Sequence, residues 1–355
     1  MKKALFTTIA ISISILTFSQ GLIWNDEIKE QMESSFKKVE TTTTRSYYPS
    51  SYSLEKYTSY VHHQGKTAMC VAYSLANCRT IIYARNKRLR GKKEIAAESF
   101  SPLFIYYHVR KKSDYKCNQG ISPFDGIQYV IENGIAQIFD VECPNYYPCT
   151  SKQLCDYYPP THSTDILNAS SFKIDEPKIV SSISEIKGEL SSGNPIFTLT
   201  SPMPLTLWAA YGKSVWDPES SVQCMGVTQQ GYRCKRMIKH NAYCYQHKKA
   251  QTGPLGHTMV VIAYDDNRYG GAFQILNTYG TKWGDGGKIW IRYNDFLKYF
   301  NGSISISRRY ESSPFGMPSA KNIPLTNDSI DNFGSPSFIE NDIEPPWSKY
   351  LLEED

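Results

Sequence analysis

The sequence predicts an α+β protein built from two packed halves. Two observations carry this. Between Cys70 and Asn133 apolar residues recur at helical spacing, whereas from Ile196 onward they fall into short strand-like runs. Helices first and strands later is the order expected when each class forms its own layer. At 355 residues the chain is also long enough for one large domain, or two modest ones, with a sizeable buried core.

Taken in order, residues 21 to about 58 read as a poorly structured lead-in. Thr41-Thr42-Thr43-Thr44 and the Ser/Tyr/Pro stretch to Tyr52 sustain no period. From Cys70 to Arg90, Val71, Leu75, Cys78 and Ile82 mark one helix, which turns basic before Gly91. A second helix is predicted over Pro102 to Val109. A third runs from Pro123 to Glu132, closed by Asn133-Gly134. Residues 140 to 165, rich in Tyr, Pro and Cys, read as loop. A short helix spans Ser184 to Leu190 and stops at Ser192-Gly193-Asn194-Pro195. Strands follow over Ile196 to Thr200, Thr258 to Tyr264, Ala272 to Asn277 and Lys288 to Tyr293. Between Ser201 and Gly256 lies a cysteine-containing insertion. The end, rich in Pro, Ser, Asn and acids, reads as an irregular tail.

The first residues have the form of a signal peptide. Lys2 and Lys3 precede an apolar run from Ala4 to Phe18, and Ser19-Gln20-Gly21 offers small residues for cleavage. A retained anchor or a buried helix is the alternative, but the run is short and rich in hydroxyls for a membrane span. The expected product is a secreted or periplasmic protein with no stable span after signal removal. The segments are then 1–19 signal, 20–58 lead-in or short propeptide, 59–310 main domain with a module at 220–250, and 311–355 tail. A formal charge of +5, with basic residues scattered rather than striped, gives no reason to expect a nucleic-acid partner. Export permits disulfides, and nine cysteines leave at least one thiol outside any intramolecular bridge.

Cys70 has the setting of a reactive thiol. A helix start supplies unpaired N–H groups and a dipole that lower a thiol's pKa. Gln64, six residues earlier, carries an amide able to reach back over a turn. His257, between Gly256 and an apolar strand, suits the base that a thiolate nucleophile needs. Asn277, ending the next strand, suits the group that fixes that imidazole.

The local dress of these residues resembles the papain-like cysteine peptidases. Gln64-Gly65 followed by Cys70 is similar to that family's Gln-Gly-(four residues)-Cys segment, and Gly256-His257-Thr258 with its apolar continuation to its Gly-His-Ala strand. The run from Ile275 through Asn277, Thr278, Tyr279, Gly280, Trp283 and Gly284 to Gly287 resembles its Asn-Ser-Trp-Gly block. Cys117-Asn118-Gln119-Gly120 resembles its Cys-Asn-Gly-Gly loop. The resemblance implies a two-lobed fold, with a helical N-terminal lobe, an antiparallel β-barrel-like C-terminal lobe and the active-site cleft between them. It implies Cys70 as nucleophile, His257 as acid/base and Asn277 as its orienter. Gln64 with the Cys70 N–H would form the oxyanion hole. Gly120, Asn118, Tyr279 and Trp283 would meet the substrate, a peptide or protein, and no cofactor would be needed.

Three positions depart from the family. Thr67 stands where a cysteine is usual, so the customary bridge to Cys117 has no partner. Val71 replaces an aromatic, and Tyr279 replaces the Trp that covers the Asn–His pair. The departures keep open a catalytically silent binding or scaffold protein. A related amidase or transglutaminase-type acyl transfer is the other alternative. Cys78 falls on the apolar stripe of its helix and reads as core. Cys117, Cys143, Cys149 and Cys155 allow three pairings, among which the sequence does not choose.

The insertion holds Cys224, Cys234, Cys244 and His247, the last two in a Cys-x-x-His pair. Three thiols and an imidazole form a tetrahedral donor set for a structural Zn²⁺, with a disulfide between two of them as the alternative. The stretch resembles a short Cys₃His motif appended to many bacterial and phage proteins. Placed just before His257, the module is expected to border the cleft.

Overall fold

A computed structural model describes residues 22–39, 48–138, 155, 168–224, 226–228, 230–239, 243–247 and 256–307. The expected signal segment, the expected tail from residue 311, and residues 140–165 apart from Cys155 lie outside them, as do Cys143 and Cys149. Among the described residues no helix is long and apolar enough to cross a membrane.

The lead-in differs from its expectation. Asp26–Ser35 forms helix α1, capped by Asn25, whose Oδ1 accepts from the Ile28 N–H at 2.9 Å. Ile28, Met32 and Phe36 recur once per turn and are buried, with Phe36 packed on Phe124. This stripe is one residue wide, too narrow to announce a helix in sequence. It closes only against the third predicted helix, which supplies the apolar surface. Strand β1, Lys37–Lys38, then extends the sheet.

The expected helices form close to their predicted limits. Helix α2, Cys70–Lys87, is buried on nearly every side through Ile82 and ends where Arg88 turns left-handed at φ 56°. After α3, Lys92–Ala97, come α4, Pro102–Val109, and α5, Pro123–Asn133. Each of the last two opens on a Ser cap followed by Pro. Gly134 ends α5 at φ 78°, and a Cβ there would sit 1.9 Å from the Ala169 carbonyl oxygen. The helix Ile183–Ser192 begins with a capping box between Ser182 and Glu185.

The β half is a mixed sheet. Its strands are β2 (Ser51–Ser53), β3 (Lys178–Ile179), β4 (Ile196–Thr200), β7 (His257–Asp265), β8 (Ala272–Leu276), β9 (Lys288–Arg292) and β10 (Gly302–Ser305). The order is β1-β3-β10-β4-β7-β8-β9, with β2 pairing β7. Among the described residues β1 and β9 are not joined, so the sheet stays open and the expected barrel-like closure is not found. β7 is buried from His257 to Tyr264 because α2 packs against it, which explains an unbroken apolar run rather than alternation.

The insertion is two things. Its first part belongs to the main core. Leu205–Trp208 is a helical turn, and Ser214 to Trp216 runs beside β9, with Trp216 N–H donating to the Trp290 carbonyl at 2.9 Å. Only from β5 (Val222–Gln223) and its antiparallel partner β6 (Met237–Ile238) does a separate module begin. Its core is Cys224, Cys234 and Cys244, with Ile238 against them.

Candidate active site

Cys70 is the first residue of α2 and is fully buried. Met69 before it supplies no side-chain cap, which leaves the first-turn N–H groups to the thiol. Burial nevertheless dominates and pushes the thiol up to about 11, against hydrogen bonds from Thr258 and the helix N-terminus. Thr258 Oγ1 in turn accepts from Ser74 Oγ at 3.1 Å, which ties α2 to β7 beside the thiol.

His257 is the first residue of β7. Its Nε2 lies 2.7 Å from Asn277 Oδ1, which also accepts from the Thr278 N–H at 2.7 Å. Two contacts on one oxygen fix the Asn rotamer, and through it the imidazole plane. Burial lowers the His257 pKa to about 4, with the Asn277 contact opposing. Tyr279 stacks on the imidazole with centroids 4.5 Å apart and planes 26° apart, so a smaller aromatic does shield the pair. Trp283 is fully buried behind it, edge-on to Tyr279 at 6.3 Å, with its indole N–H on the Leu207 carbonyl.

Gln64 is drawn to the same place from the helical side. Its N–H donates to the Thr278 carbonyl at 2.9 Å, and Thr278 Oγ1 donates to Gln64 Oε1 at 2.6 Å. Its Nε2 uses one hydrogen on the Thr67 carbonyl at 2.8 Å. Thr67 Oγ1 in turn donates to the Gln64 carbonyl at 2.6 Å, so the threonine side chain itself braces Gln64. The loop before Gly120 is built on buried Asp114. Asp114 accepts from Tyr106 Oη at 2.6 Å and from the Asn118 N–H at 3.0 Å, while the Gly120 N–H donates to Tyr106 Oη at 3.2 Å. Gly120 is buried and Asn118 exposed. The Ala68 N–H donates to the Cys117 carbonyl at 2.6 Å, which docks the loop beside Cys70. Cys117 has a different partner from the customary one: it is bridged to Cys155.

Thr258, Thr278, Asp114 and Tyr106 escaped the sequence reading. Thr258 and Thr278 directly follow His257 and Asn277, a signal that could have raised them. Asp114 and Tyr106 carry none, since only the folded loop brings them together.

Residue 22 enters this site unexpectedly. Leu22 forms a parallel bridge with Ile121, and the Ile23 N–H donates to the Ile121 carbonyl at 3.2 Å. On the other side, a Cβ at Gly256 would lie 2.3 Å from Leu22 Cδ2. The Leu22 side chain is thus wedged between the Gly120-Ile121 loop and Gly256-His257.

In the module, the ligand atoms of Cys224, Cys234, Cys244 and His247 lie within 4.8 Å of one another, a grouping that could hold a metal ion. His247 Nδ1 is 3.5 Å from Cys224 Sγ and 3.3 Å from Cys244 Sγ. The N–H groups of Gly226 and Cys244 point at Cys224 Sγ. Gly226 is required here, because a Cβ would stand 2.2 Å from the His247 ring.

Sequence comparison finds no matching family model and no matching curated protein. Structural comparison does find solved proteins of similar fold. Xylellain, a cysteine protease from Xylella fastidiosa, matches at a TM-score of 0.56 and 17% identity, over 83% of this chain and 97% of that one. ProCathepsin B S9 from Trypanosoma congolense gives 0.53 and 15%, over 84% and 90%. The ragweed pollen cysteine protease Amb a 11, in its proform, gives 0.51 and 15%, over 83% and 76%. The chain has the papain-like cysteine-protease fold. At these identities the likeness speaks for the fold; what the site does rests on its own residues.

Proposed function

We propose that the protein is an exported cysteine peptidase. Cys70 Sγ attacks the scissile carbonyl to form a thioester acyl-enzyme, and His257 takes the thiol proton and returns it to the leaving amine. Water then hydrolyses the thioester, with His257 as base. Asn277 holds the imidazole, and Tyr279 keeps water from their hydrogen bond. The second Gln64 Nε2–H and the Cys70 N–H are the oxyanion donors. Gly120 and Asn118 pair with substrate, with Tyr279 and Trp283 forming the wall beside His257. The observation that carries this reading is the His257 Nε2–Asn277 Oδ1 contact at 2.7 Å, made under the Tyr279 ring. It leaves Nδ1 as the nitrogen for the thiol.

Two accompanying assignments belong to the same reading. Leu22 obstructs the cleft, so residues 20–58 act as a prosegment that must leave or shift before substrate enters. Cys224, Cys234, Cys244 and His247 hold a structural Zn²⁺; the donor chemistry fits, and four protein ligands leave no position for a reacting water.

Hydrolysis of a broad fluorogenic peptide library in reductant tests the activity. Cleavage by the wild type that vanishes in folded Cys70→Ala is expected. Silence from the wild type after removal of the lead-in would favour a scaffold, a reading to which the neutral buried pair lends weight.

A further inference from the structure

We propose that the cysteine-histidine module is the docking site for the chain's own acidic C-terminal tail. The module face is unusual in both charge and apolarity. Residues 220–250 contain six lysines and arginines and not one Asp or Glu. Lys235, Arg236 and Lys239 are exposed, and Arg236 lies 4.7 Å over the Tyr245 ring. Tyr232, Met237 and Tyr245 are 72%, 61% and 68% exposed, among the largest exposures of apolar side chains in the described residues. A small unit that leaves this much aromatic and thioether surface in water, edged by cations, has the make-up of a recognition face.

The tail has the complementary make-up. Residues 312–355 carry eight acids, among them Glu340, Asp342, Glu344 and the closing Glu353-Glu354-Asp355, against only Lys321 and Lys349. Phe333, Phe338 and Trp347 are interspersed with those acids. Carboxylates therefore meet ammonium and guanidinium groups, while aromatic rings meet exposed Tyr and Met. A chain of this length, if it behaved as a flexible coil, would span roughly 35–40 Å root-mean-square, about the width of a domain this size. Tethering holds its acids at an effective concentration near the millimolar range, where several weak charge contacts suffice. The proposal does not depend on the peptidase reading, since it uses only the make-up of the module face and of the tail and no step at Cys70, His257 or Asn277.

Carbodiimide cross-linking of the full chain, read by mass spectrometry on a mixture of ¹⁴N- and ¹⁵N-labelled protein, tests it. Single-isotope links from Lys235 or Lys239 to carboxylates of 328–355 are expected to dominate at low salt. They should fall about fivefold or more in 0.5 M NaCl, where charges are screened within a few ångströms. Lys235→Gln/Arg236→Gln/Lys239→Gln, checked for retained metal content, should expose the tail to protease several-fold faster. Tail links spread evenly over other lysines, mixed-isotope links between copies, or unchanged tail proteolysis in the variant would overturn the proposal. So would tail-independent capture of a separate acidic peptide by the module with the tail left uncross-linked.

Discussion

At the residue scale, two histidines are stored uncharged. Burial lowers His62 and His257 alike to about 4. Each binds a proton in the unfolded chain below about pH 6.5 but resists it in the fold down to about 4. Unfolded chain therefore takes up more protons across this window, and stability is full above it and lost as pH falls. Each should cost about 2–3 kcal/mol between pH 7 and 4.5. Denaturant unfolding of wild type and His62→Gln at the two pH values checks this. The variant should lose less stability on acidification by about one histidine's share; equal losses would show that His62 titrates normally. The candidate site residues that the fold brings together were legible at this scale because each sits in a short motif: Gln64-Gly65, Gly256-His257, and the Asn277 to Gly287 turn. Asp114 and Tyr106 were not, because their meeting is made by the loop's path and leaves no spacing to read.

At the scale of elements, the strands and main helices were readable from period, caps and glycines. Ser101 and Ser122 cap the helices expected at Pro102 and Pro123, and the Ser182/Glu185 box, which the reading passed over, starts the next helix just before the expected Ser184. The lead-in was not, since α1 shows one apolar residue per turn and becomes a helix only by packing on α5. Under the proposed reading the lead-in restrains access to Cys70: burying the Leu22 side chain is worth about 2 kcal/mol, or roughly 10–100-fold in the population of a state that exposes the thiol. Leu22→Glu should accelerate iodoacetamide alkylation of Cys70 by at least about tenfold, measured by peptide mass at fixed pH. An unchanged rate would mean that Leu22 does not control access.

At the scale of the molecule, the main core and the module core are separate clusters. The sequence reading places the module at 220–250 inside a longer insertion from Ser201 to Gly256, and the first part of that insertion packs in the main core. Trp208 and Trp216 belong to the main core, a fact hidden because an insertion's first residues can add to an existing sheet edge. Separate cores predict separate failure. Chelation should remove one zinc per chain and abolish amide protection in residues 222–247. The main thermal transition should move by less than about 2 °C. Chelation that unfolds the whole chain would show that the metal supports the main fold directly.

The most direct measurement of the central claim is covalent trapping with a peptidyl epoxide, mapped across Cys70, Cys78, Cys224, Cys234 and Cys244, the free thiols among the described residues. The account predicts an adduct on Cys70 alone in Leu22→Glu protein, lost in a folded variant that also carries His257→Ala. An adduct divided among the module thiols, or one on Cys70 that persists without His257, would contradict it.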